Sequence, residues 1–152
     1  KDEISINLFN VTVLHLAAEH NCLDVINYLL DKQDIDIQRM MFYKCNKLRE
    51  FKIPPKVIVI NELVFFGCSS LREVYIPPSV TKIESGCFRD CENLCHITIP
   101  PSVTHIGGNV FCGCCSLKEI NIPPLVDGIY YHAFDDCISL ETVNFEIHHL
   151  YL

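Results

Sequence analysis

Cysteine and histidine are the residues of this chain whose types could do chemistry. The stretch FCGCCSL, residues 111–117, sets three thiols within four positions, in 152 residues that hold ten cysteines and seven histidines. Thiols at that density suit a tetrahedral metal centre, in which four N or S ligands converge on one point. They also suit a nucleophilic thiolate activated by an imidazole and an orienting acid, or a disulfide framework. His15 is a candidate base, with His96, His105 and His132 behind it. The choice depends on whether the cysteines gather at a site or recur with a period.

Composition narrows the classes. The chain is 49% hydrophobic and 20% charged, enough apolar material for a sizeable core. A formal charge of −7 argues against recognition of nucleic-acid phosphates, which needs clustered Lys and Arg. No apolar run approaches the eighteen or so residues of a membrane helix, so membrane insertion is not expected. There is no P-loop and no G-x-G-x-x-G, and Gly107-Gly108 is read as a turn.

The chain is periodic. Pro-Pro occurs at 54–55, 77–78, 100–101 and 123–124, a step of 23 residues that uses all eight prolines. Ile53, Ile76, Ile99 and Ile122 precede the pairs, and Val57, Val80, Val103 and Val126 follow them. Phe65, Phe88, Phe111 and Phe134 keep the same step, and Phe42, Cys45, Leu48, Phe51 and Ile53 supply half a unit more. Four units without insertion or deletion predict a solenoid whose coils stack to complete one core. In L-R-E-V-Y-I, Val74 and Ile76 should point inward and Glu73 and Tyr75 outward. The prolines stop that strand, having no N–H to donate. V-T-K-I should form a second short strand, and G-C-F-R-D-C the returning turn.

The unit I-P-P-S-V-T-K-I-E-S-G-C-F-R-D-C-E-N-L-C-H-I-T-I (76–99) resembles the BspA-like leucine-rich repeat family, over about residues 42–145. That resemblance implies a binding protein, often an adhesive surface protein, with no catalytic motif to carry over. Glu146 and Ile147 stand where the next Pro-Pro would fall, so EIHHLYL, with His148 and His149, departs from the pattern.

Before the repeats, VTVLHLAAEHNCLDVINYLLDK resembles one ankyrin repeat, over about residues 10–37. Thr12, Leu14, His15, Ala17, Ala18, Val25, Ile26, Leu29 and Leu30 match; Val13 and Asn21 depart. The resemblance implies a helix pair in which His15 braces the turn by hydrogen bonding. One such repeat cannot bury its own apolar face. It should pack on further repeats, or on the first coil near Phe42 and Phe51, with QDIDIQRMM (33–41) as the junction. The expected fold is therefore α+β: an ankyrin-like helix pair in residues 1–40, then a leucine-rich repeat β-solenoid of 23-residue coils with parallel stacked strands in residues 41–152.

With the repeat aligned, FCGCCSL resolves. Cys114 falls in one structural column with Cys45, Cys68, Cys91 and Cys137, and Cys87 joins Val64, Val110 and Ala133 in a column of small residues. Cys22, Cys95, Cys112 and Cys115 lie outside the pattern. In-register side chains project in parallel, with Cβ atoms about 4.8 Å apart, whereas a disulfide wants about 3.8 Å. Cys95 has Arg72 and Lys118 as column neighbours, and both cations repel a metal. The sequence thus predicts reduced thiols, no metal, no cofactor and no catalytic site. Reduced thiols favour an intracellular, cytoplasmic location; a cell-surface or secreted adhesin is the rival, and a cysteine-dependent or zinc-binding protein a third reading.

What remains is a surface. Glu50, Glu73, His96, Glu119 and Thr142 form one outward column, Lys52, Tyr75, Thr98, Asn121 and Asn144 the next, with Arg49, Arg72, Cys95, Lys118 and Glu141 at the bend before them. A flat face of mixed charge suits protein partners. The candidate binding residues are Glu50, Lys52, Arg72, Glu73, Tyr75, His96, Thr98, Lys118, Glu119 and Asn121, with Tyr75 the one aromatic anchor.

Overall fold

The structure, a computed structural model, describes residues 12–32 and 37–146. Helix α1 (residues 12–19) and helix α2 (Leu23–Lys32) lead into short strands. These are β1 (Glu50–Lys52), β2 (Val59–Ile60), β3 (Glu73–Tyr75), β4 (Lys82–Ile83), β5 (His96–Thr98), β6 (His105–Ile106), β7 (Glu119–Ile122) and β8 (Thr142–Phe145). Each full coil supplies one strand of the outer wall (β1, β3, β5 and β7), a proline turn, and a second strand or bridge before a longer turn brings the chain back; β8 adds a last strand to that wall.

Every ladder is parallel, and its register equals the sequence period. Glu50 pairs with Glu73 and Glu73 with His96 on one wall. Lys82 pairs with both Val59 and His105 on the other, where an isolated bridge joins Ile106 to Ile129. Glu119 pairs with Thr142. The strands are short because the repeat makes them so. Each proline pair opens a turn that the following valine closes: the N–H of Val57, Val80, Val103 and Val126 donates to the carbonyl of Pro54, Pro77, Pro100 and Pro123, at 3.0–3.2 Å.

The longer turn needs two left-handed residues per coil. Met40, Leu63, Gly86, Asn109 and His132 form one such column and Lys44, Gly67, Asp90, Gly113 and Asp136 the other, with φ between +54° and +76°. Glycine suits these places, but stacking holds non-glycine residues there at a cost of about 1–2 kcal/mol each. Gly107 is required for a different reason. A Cβ there would come within 2.5 Å of the Ser85 backbone nitrogen in the preceding coil.

Between the walls runs a single core. Phe42, Phe65, Phe88, Phe111 and Phe134 stack nearly parallel, with successive ring centroids 5.4, 5.5, 5.7 and 5.8 Å apart. The first four rings are fully buried, each contributing about 1.5–3 kcal/mol of hydrophobic stabilisation. Their N–H groups donate to Val64, Cys87, Val110 and Ala133 of the next coil, which ties the phenyl column to the small-residue column.

The helix pair closes one end of this core. Leu14, Ala18 and Ile26 are buried in the same cluster as Phe42, so the helices pack on the first coil. Asn21, left-handed between the helices, accepts a hydrogen bond from the Arg49 N–H through its side-chain oxygen at 3.2 Å. His15 Nδ1 meets the Met41 carbonyl at 3.1 Å, so it ties α1 to the first coil. One correction concerns the outer face. One sheet joins β1, β3 and β5, and a separate one joins β7 and β8, so the expected continuous wall is interrupted between β5 and β7.

Candidate functional site

Alternation along the strands sets the outward face. In β1 and β3 the middle residue is buried while its neighbours are exposed, which places Glu50, Lys52, Glu73 and Tyr75 on the surface. His96 and Thr98 flank Ile97 in β5, and Glu119 and Asn121 alternate with Ile120 and Ile122 in β7. Eight of the ten candidate residues therefore share one face, with Arg72 and Lys118 at the bend just before β3 and β7, but the lapse in the ladder divides them. His96, Thr98, Lys118, Glu119 and Asn121 line a hollow of about 540 Å³ between β5 and β7. Glu50, Lys52, Glu73 and Tyr75 line a smaller one of about 170 Å³ beside Leu23 and Asn27 of α2. Arg72 joins Arg49 and Asn21 around a third, of about 400 Å³.

The face is polar and weakly neutralised. Lys52 lies over the Tyr75 ring, 5.5 Å from its centroid, which steadies this exposed aromatic of β3. Asn144 donates to Glu119 at 2.7 Å and to Asn121 at 2.9 Å, fixing the outer edge of β7. Packing of the helix pair on the first coil near Phe51 was one of the two expectations, but the part that Leu23 and Asn27 take in the second hollow was not read from the sequence.

The thiols show the opposite character. Cys68, Cys91, Cys114 and Cys137 each donate to the carbonyl of the phenylalanine 26 residues earlier, at 3.0–3.2 Å. Burial pushes the Cys137 thiol up to about 11, and raises those of Cys68, Cys87, Cys91 and Cys114 well above the ordinary thiol value. A thiol held protonated is neither a nucleophile nor a ready metal ligand. Cys112 is raised as well, by burial first, against the pull of Arg89 and with the help of Asp90 and Asp135. All ten cysteines are free thiols.

One cluster does have the residue types of a catalytic triad. Cys45 Sγ lies 3.7 Å from His15 Nδ1, and His15 Nε2 lies 3.5 Å from Glu19. Its details argue against chemistry. Burial, with Glu19 adding to it, pushes Cys45 up to about 12, away from thiolate. The nitrogen facing the thiol is also engaged by the Met41 carbonyl, which takes a proton and offers none. Cys45 is fully buried, out of reach of a substrate. Two further imidazoles pair with carboxylates, His105 with Asp127 of the next coil at 3.6 Å and His132 with Asp135 in its own turn. Among the described residues no group of three His, Cys, Asp or Glu side chains is placed to hold a metal ion, and no helix is long and apolar enough to cross a membrane.

Known proteins align with this geometry. The family model described as BspA type leucine rich repeat region matches residues 21–151 in six copies. A leucine-rich repeat protein from Bacteroides ovatus is 39% identical, with a TM-score of 0.69 over 74% of this chain and 30% of its own. The leucine-rich repeat protein of T. pallidum is 32% identical, with a TM-score of 0.69 over 72% of this chain and 51% of its own. A leucine rich cell surface protein from Faecalibacterium prausnitzii is 29% identical, with a TM-score of 0.71 over 75% of this chain and 30% of its own. The chain thus spans between 30% and 51% of the length of these relatives. No curated protein matches it.

Proposed function

From the premise that the chain belongs to the BspA-type leucine-rich repeat family, we propose that it is a non-enzymatic module that binds a protein partner through its outer sheet face. The observation that carries this is the division of chemistry between inside and outside. The thiols are buried and held protonated, while exposed charge, an aromatic anchor and two hollows gather on one wall. Solenoids of this kind offer such walls to proteins. In the same reading, residues 1–40 form an ankyrin-like helical segment that seals the first coil, and residues 41–152 form the solenoid. Residues 1–11, 33–36 and 147–152 of those intervals, with His148 and His149, lie outside the described residues.

A photo-crosslinking residue placed at Tyr75 or Asn121, in the source cell, tests the face. A specific adduct from those positions, absent when the probe sits at exposed Ile58, supports it. Equal labelling from Ile58, or none from the face, contradicts it.

A second reading is an adhesin acting outside the cell, favoured by the relative described as a cell surface protein. The ten free thiols favour a reducing compartment instead. Mass analysis of the native, non-reduced protein separates the two. Free thiols fit the intracellular module, and several disulfides fit the adhesin.

A further inference from the structure

Surface aromatics of the earlier coils carry cations of this chain, and those of the last coil do not. Lys44 lies 5.3 Å from the Tyr43 ring centroid, Lys52 5.5 Å from that of Tyr75 and Arg89 5.8 Å from that of Phe66. Tyr130 and Tyr131, 42% and 72% exposed, have no cation over either ring among the described residues. The charge of the chain is divided in the same way. Residues 37–60 hold Arg39, Lys44, Lys47, Arg49, Lys52 and Lys56 against Glu50 alone. Residues 119–146 hold Glu119, Asp127, Asp135, Asp136, Glu141 and Glu146, with no Lys or Arg.

The two tyrosines are fixed from behind. They follow the bridge from Ile106 to Ile129 on the far wall, at the places that Gly107 and Gly108 occupy one coil earlier. The glycine pair leaves room for them: a Cβ on Gly108 would come within 3.4 Å of Tyr131 Cζ. Tyr130 packs on His105 with ring centroids 5.1 Å apart, and His105 pairs with Asp127 at 3.6 Å. Tyr131 meets His132 edge to face at 5.5 Å, and His132 pairs with Asp135. Each ring thus has an imidazole and a carboxylate close by.

We infer that this patch docks an arginine- or lysine-bearing segment of a protein partner, with a cation over each tyrosine ring and beside its carboxylate. The site lies on the far wall, apart from the sheet face, and stands independently of that reading. Charge selects the occupant. Asp127 and Asp135 are offset only when their imidazoles are protonated, so the patch repels anions. A tyrosine face attracts a cation, by about 0.5–1 kcal/mol at an exposed site. An uncharged apolar segment would instead strip water from the carboxylates and give them no partner. Rings already packed on their neighbours also lose little freedom on binding. The cation next to His105 in the ladder, Lys82, lies over neither ring and leaves both faces free.

The probe is a dye-labelled peptide of alternating glycine and arginine, titrated with the 152-residue chain at about 0.15 M salt, where remote charges are screened. A second peptide carries citrulline, the neutral isostere, in place of arginine. Affinity should fall about tenfold with citrulline, and as much with Tyr130→Leu and Tyr131→Leu together, the loss of two cation–π contacts. The pair Tyr130→Phe and Tyr131→Phe should keep it within about twofold, because the ring face remains. Asp127→Asn should weaken binding, whereas Glu92→Gln, at an exposed carboxylate of another turn, should not. No binding, tolerance of the leucine pair or of Asp127→Asn, or equal loss with Glu92→Gln overturns the inference. So does a dimer, seen by sedimentation, that Lys44→Glu and Lys47→Glu together dissociate, since it gives the patch to a second copy. The sheet-face reading is decided separately, by the crosslinking at Tyr75 and Asn121.

Discussion

Two sets of columns run the length of the solenoid and treat residue identity in opposite ways. Inside, phenylalanine follows phenylalanine and cysteine follows cysteine, because each side chain is a neighbour's wall. A ring of another size would leave a void or a clash in two coils at once. Outside, the column that begins with Glu50 passes through Glu73, His96 and Glu119 to Thr142, and the one beside it from Lys52 through Tyr75 to Asn144. Those residues answer to water and to whatever binds. The difference teaches where to look for function: in the columns that do not repeat.

Breaking the inner column should cost most. Phe88 is fully buried between Phe65 and Phe111, so Phe88→Ala should lose about 3–5 kcal/mol in denaturant unfolding. The same change at half-buried Phe134, in the last coil of the stack, should lose less. Equal losses would mean that the coils do not share one core. Cys91 should follow. Cys91→Ser puts a shorter hydroxyl where Sγ reaches the Phe65 carbonyl at 3.1 Å, and should cost about 1–3 kcal/mol. Cys22→Ser, at an exposed thiol, should leave the unfolding midpoint unchanged.

Alkaline pH sharpens the same contrast. Burial raises Cys45 from 9.0 to about 12 and Cys137 from 9.0 to about 11, so the folded chain keeps protons that the unfolded chain releases. Their contribution is fully present below about pH 9 and is lost progressively above it, up to the folded values. Denaturant midpoints should fall between pH 9 and 11, and Cys45→Val should flatten the fall. A midpoint independent of pH in that window would mean that the column is wet.

The smallest effect on stability belongs to the outer face. Tyr75 is 54% exposed, so Tyr75→Ala should shift stability by less than about 0.5 kcal/mol. It should weaken partner binding at the same time. A large loss of stability would return Tyr75 to the core.

The interior was legible in the sequence because a solenoid turns period directly into register. The step from Pro54 to Pro77 is the step from Glu50 to Glu73 in the ladder. Inward and outward residues followed from alternation alone. Three features were hidden for physical reasons. His96-Ile97-Thr98 obeys the repeat as well as Glu73-Val74-Tyr75 does, so the lapse in the ladder after it reflects how whole coils settle and leaves no mark in residue type. His15 meets Met41 and Cys45 only because the helices dock on the first coil, a contact between segments with no shared period. Gly67, Gly86 and Gly113 signal left-handed turns, but Met40, Lys44 and Leu63 adopt the same conformation because their coils are already stacked.

The central claim is that the thiols are packing material and that recognition belongs to the outer wall. Timed alkylation of the native protein, read by peptide mass, tests it most directly. Exposed Cys22 should react first and the half-buried Cys95 and Cys115 next, while Cys68, Cys87, Cys91 and Cys114 stay unmodified until the chain unfolds. Reaction of any of those four at the rate of Cys22, in protein that is still folded, would contradict it.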